Sequence, residues 1–182
     1  MGTATACAAP SGCTVHSMGG AGAKGRDPTL DVRPGNGIGP VDIGMTRDEA
    51  RAAAATSKLG VHDFRRAEAD KREDGPPDLY IGGQLFAYFS GGDRVVEVEV
   101  AVSGPLPVTC LDLDLRAPFA DVLEAMAEHG RVDRTHAEFP STSAYPQLGV
   151  VFWADLKPAD LAIEPVEAIL VRGLDAGRTI DR

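Results

Sequence analysis

Gly37-Ile38-Gly39-Pro40-Val41-Asp42-Ile43-Gly44-Met45-Thr46-Arg47-Asp48-Glu49-Ala50 is the stretch whose reading decides the fold. Residues 41–43 form a short apolar run of strand composition, and a helix opens directly after it. Thr46 can accept from the N–H groups of the first helical turn, while Glu49, three residues on, reaches back to the Thr46 N–H; together they make a capping box. Gly44 at the corner is free to take a positive φ. The helix reads as about residues 47–57, burying Ala50, Ala53 and Ala54 and stopping near Gly60. The glycines at 35, 37 and 39 do not make a phosphate loop, because Pro34 and Pro40 oppose the strand before and the helix after that such a loop requires.

Upstream, residues 1–28 are mostly Gly, Ala, Ser and Thr, and offer too little apolar surface to offset the entropy of ordering. A mobile tail is expected there. Cys7, Cys13 and His16 lie close together in it, but no second ligand pair follows, so no metal site is read. Three cysteines in all, with no apolar run long enough for a signal peptide or a membrane span, point to a reducing, cytoplasmic setting away from membranes.

Downstream, residues 61–78 are charged and end in Gly75-Pro76-Pro77, the composition of a solvated loop; His62 and Asp63 within it lack a third group for catalysis. Strands follow at 85–89 and about 95–102 around a tight turn. Val96, Val98, Val100 and Val102 alternate with Glu97 and Glu99, the period-two pattern of a sheet with one wet face.

The second half of the chain repeats this plan. Residues 111–115 stand where 41–45 stood, and a helix follows with Pro118 near its first turn, Gly130 beyond its end and a stripe of Phe119, Val122, Leu123 and Met126. Tyr145 matches Tyr80, Trp153 matches Tyr88, and residues 166–170 match 96–100. The fold class is therefore α+β: two pseudo-repeated units, each a main helix packed on an antiparallel sheet. The boundaries are a tail at 1–28 and units at 29–103 and 104–182, packed as one body because neither unit alone has much core.

Candidate chemistry is sparse. Asp112 and Asp114 alternate with leucines and would share one face of a strand, but no His or third carboxylate stands at a useful spacing. No serine lies in a nucleophile-elbow context, and Cys110 reads as a buried thiol. No catalytic group, cofactor or metal site is assigned. The formal charge of the 182-residue chain is −9, and the first 35 residues carry 3 basic and 2 acidic groups, so the acidity belongs to the rest. An acidic body repels phosphate backbones and attracts basic proteins. The candidate binding residues are accordingly Glu97, Glu99, Asp112 and Asp114, with Tyr88 and Trp153 as aromatic anchors. The resulting expectation is a non-catalytic protein-binding module. The alternative is a small-molecule binder or small enzyme using a cleft between the units, lined by Asp112, Asp114, Tyr88 and Trp153.

The opening Gly37-Ile38-Gly39-x-x-x-Ile43-Gly44-Met45-Thr46-x-x-Glu49-Ala50, followed by a Tyr-rich hairpin and a second copy ending in residues 165–171, resembles small bacterial proteins, some of them similar to immunity proteins of secreted toxin systems. The resemblance spans about residues 30–175 and implies an acidic immunity or inhibitor protein that occludes a basic partner such as a toxin. It carries over no functional residue. The tandem plan is also similar in outline to the beta-lactamase inhibitory proteins, without their disulfides.

Overall fold

The computed structural model describes residues 28–57, 59, 64–66, 77–136, 138–154 and 160–174. Cys7, Cys13, His16, His62, Asp63 and nearly all of the expected tail and charged loop lie outside them.

The fold is α+β, two sheets and two helices among the described residues. The five-stranded sheet runs β3 (Val41–Asp42), β2 (Gly37–Ile38), β1 (Leu30–Arg33), β8 (Val108–Cys110), β9 (Leu113–Asp114). The seven-stranded sheet runs β10 (Thr142–Tyr145), β11 (Val150–Trp153), β12 (Ala168–Arg172), β7 (Val95–Ala101), β6 (Leu85–Phe89), β5 (Asp78–Tyr80), β4 (Phe64–Arg66). Both sheets join the two halves of the chain: β1 pairs in parallel with β8, and β7 pairs antiparallel with β12.

Helix α1 (Arg47–Thr56) opens as its sequence dictates. The Glu49 N–H donates to Thr46 Oγ1 at 3.3 Å, and the Thr46 N–H donates to Glu49 Oε2 at 2.8 Å. The Thr46 N–H, together with the Thr46 hydroxyl, which donates to the same Oε2 at 2.9 Å, holds the Glu49 carboxyl below its ordinary range. Gly44 adopts φ +86°, which lets the strand turn into the helix. Ala50 and Ala54 are buried and Ala53 is half-buried. In helix α2 (Phe119–Met126) Phe119, Val122 and Met126 are fully buried, while Leu123 is half-buried at the margin of the stripe and packs against the same core. No side chain caps α2. Its first two N–H groups donate instead to the carbonyls of Glu164 and Leu161, at 2.8 and 2.9 Å.

One core lies between the sheets and helices. Leu30, Val32, Ile38 and Val41 of the small sheet meet Leu85, Val98, Val100, Phe152, Ile169 and Val171 of the large one, with Phe119 and Met126 of α2 in the same cluster. Tyr145 meets Phe152 edge-on, ring centroids 5.7 Å apart.

Three strand readings change. Residues 111–115 are not one strand: Cys110 pairs with Leu113 across a two-residue turn, with Leu111 at φ +50° and Asp112 at φ +66°. A tight hairpin of this hand needs positive φ at both central residues, which Asp tolerates and Leu resists. Val96 is 37 % exposed because a bulge opposite Tyr88 and Phe89 makes it an extra residue, while Val98, Val100 and Val102 face the core. The strand expected over residues 166–170 begins later, at Ala168, and runs to Arg172, with Val100 opposite Ile169 and Val98 opposite Val171.

Candidate functional site

The seven-stranded sheet has a second face. Alternation that sends Leu85, Ala87, Val98, Val100, Phe152 and Ile169 into the core sends Phe86, Tyr88, Glu97, Glu99, Leu170, Val151 and Trp153 to the other side. Tyr88, Ala144, Val151 and Leu170 form a small apolar cluster there, with Phe86 packed against it. Among the described residues, neither helix and no strand of the other sheet contributes to that cluster.

Four of the six sequence-derived candidates meet on this face. Cross-strand neighbours share a side of the sheet, and Tyr88 lies opposite Glu97, which lies opposite Arg172. Both carboxylates are half-buried and engaged, not freely solvated as the simple alternation implied. Glu97 Oε1 is 2.6 Å from Arg172 Nε, and the Tyr88 hydroxyl donates to Glu99 Oε2 at 2.9 Å. Trp153 lies opposite Ala168 and is 41 % exposed, in contrast to Phe152 beside it, which is fully buried.

Asp112 and Asp114 are elsewhere. They belong to the small sheet, on opposite sides of the turn-to-strand junction, and both are exposed. Asp112 borders an open depression with Asp31, Val32, Arg33, Pro34 and Leu111. Asp114 Oδ1 accepts the Arg116 N–H at 3.0 Å, a local turn contact. The paired-carboxylate geometry therefore does not form. Of the side chains named for a cleft, only Asp112 lines this depression. Cys110 is buried, and burial foremost, then the nearby Asp31 charge, pushes its thiol up to about 12. A thiol so raised is a poor nucleophile at neutral pH.

One charged group escaped the sequence reading. Asp78 is fully buried where β5 meets α1, and both its oxygens are held by arginines: Arg47 Nη1 at 2.7 Å on Oδ1, Arg51 Nε at 2.8 Å on Oδ2. Arg47 also reaches Asp93 Oδ1 at 2.7 Å and lies 3.7 Å above the centre of the Phe89 ring. Burial and the Asp78 charge raise the neighbouring Tyr80 hydroxyl far above its ordinary pKa. The signal was present. Arg47, Ala50, Arg51 and Ala54 fall at i, i+3, i+4 and i+7, so two cations occupy a buried stripe and demand a buried acid.

Among the described residues no three His, Cys, Asp or Glu side chains are grouped to hold a metal ion, and no helix is long and apolar enough to cross a membrane. No protein-family model matches the chain, and neither a curated protein nor a solved structure matches it.

Proposed function

We propose that the protein is a non-catalytic binding module, an acidic immunity or inhibitor protein that occludes a basic protein partner in the cytoplasm. The observation that carries this reading is the gathering of Tyr88, Glu97, Glu99 and Trp153 on the sheet face that lies opposite the helices and the small sheet. An aromatic and acidic face on a body of charge −9 steers and receives cationic protein surface. The Glu97–Arg172 and Tyr88–Glu99 contacts hold that face in one arrangement before binding, which lowers the ordering cost of association.

The scaffold reading extends to two diverged copies of one unit. Gly37 and Ile38 pair with Asp42 and Val41, and 72 positions on, Thr109 and Cys110 pair with Asp114 and Leu113. Thr46 bridges to Arg94 just before α1, and Pro118 bridges to Pro165 just before α2. Tyr80 pairs with Leu85 as Tyr145 pairs with Val150. In that correspondence Tyr88 and Trp153 are the same position, so each copy carries one aromatic side chain on this face, Tyr88 buried in its apolar cluster and Trp153 exposed.

The test is affinity capture from the native organism followed by association kinetics. A basic partner is expected, with an on-rate that falls as sodium chloride rises, because steering is screened over about 8 Å at physiological salt. An acidic partner, a salt-independent on-rate, or turnover of a small molecule by the purified chain would contradict the proposal.

A further inference from the structure

We infer that Trp153 is the anchor of this face, receiving an arginine or lysine head group of the partner against its indole ring with the Glu138 carboxylate as counter-charge. The inference rests on the basic-partner reading above and adds the point of attachment.

Trp153 closes β11 at the margin of the outer face, 41 % exposed, while Tyr80, Tyr145 and Phe152 are buried in the core and Tyr88 is buried in the outer cluster. Its neighbour on β12 is Ala168, too short to stand above an indole. Its neighbour on β10 is Thr142, whose hydroxyl donates to Glu138 Oε2 at 2.9 Å. One intervening side chain thus separates an exposed indole from an exposed loop carboxylate. Indole offers the strongest cation–π surface among the side chains, and a nearby carboxylate adds to the attraction. A guanidinium suits such a place, being weakly hydrated and planar enough to stack. The net charge of −9 disfavours an anionic group in the same position.

Trp153 is the only tryptophan in the chain, so its emission reports on this position alone. The probe is a nine-residue oligoarginine peptide, titrated at low salt with fluorescence and calorimetry in parallel. Saturable quenching of Trp153 is expected. Trp153→Ala should weaken the calorimetric affinity by roughly five- to tenfold, Trp153→Phe should keep part of it, and Glu138→Gln should cost about two- to threefold. Circular dichroism establishes that each variant is folded. Should Trp153→Ala not fold, unchanged affinity in the Trp153→Phe, Glu138→Gln double variant overturns the inference. Peptide binding that leaves the emission unchanged, or that is as tight to Trp153→Ala as to the parent, also overturns it while sparing the basic-partner reading. Absence of peptide binding even at low salt would overturn both.

Discussion

The two helices rest on the same core but are attached by opposite chemistry. Helix α2 is held by large apolar side chains, with Phe119, Val122 and Met126 buried and its N-terminus capped only by main-chain carbonyls. Helix α1 buries little more than Ala50 and Ala54, and is fastened instead by Arg47 and Arg51 gripping the buried Asp78, and by a side-chain capping box. Small residues bring a helix close to a sheet but remove little area from water. At α1 a directed ionic contact supplies the attachment that area supplies at α2. The ionic lock is also the more brittle of the two, since deleting Asp78 removes the buried carboxylate that both arginines share.

The largest effect should come from breaking that lock. Asp78→Ala leaves two guanidinium groups facing each other without their carboxylate, and is expected to destabilise the fold by about 3–5 kcal/mol in denaturant melts. A loss below about 1 kcal/mol would mean that the Asp93 contact already present suffices for Arg47 and that the partly exposed Arg51 is satisfied at the surface. Next comes the apolar attachment: Met126→Ala should cost about 2–5 kcal/mol, whereas the half-buried Leu123→Ala should cost clearly less. Equal losses at 123 and 126 would show that the stripe is misassigned. The smallest of the three concerns close approach. Ala54→Leu must push α1 off the sheet or strain its rotamer, at about 1–3 kcal/mol, while the same change at exposed Ala52 should be nearly neutral.

This contrast also explains which parts of the molecule were legible in the sequence. The Thr46–Glu49 box, the Gly44 corner and the tight turn between β6 and β7 are local devices, decided by residues a few positions apart. Strand β1, which runs between the two small hairpins, has no strand signature in the sequence, because four residues beside a Pro-Gly turn carry too little pattern. The turn at Leu111-Asp112 looked like strand because its residues are apolar and alternating; only the pairing of Cys110 with Leu113 reveals the positive φ values. Asp78 lies at the end of a charged loop in sequence, and becomes a core residue only through its 27- and 31-residue separation from the arginines that hold it. Of the candidate site, alternation placed Glu97 and Glu99 on a shared face correctly, but could not supply Arg172 or Tyr88 as their neighbours. Asp112 and Asp114 lie apart from that face, on the small sheet, because the strand expected to align them is a turn at Leu111-Asp112.

The central claim is that the partner is received on the outer face of the large sheet and not merely drawn to an acidic body. Association rates of the captured partner with two double variants test it most directly: Glu97→Gln with Glu99→Gln on that face, and Asp112→Asn with Asp114→Asn on the small sheet. Each removes the same number of charges, so long-range steering changes equally. The account predicts that the outer-face pair weakens binding by roughly tenfold, largely through faster dissociation as the contact itself is altered, while the small-sheet pair shows only a modestly slower on-rate. Equal and small effects for the two pairs, in variants that melt like the parent, would contradict it.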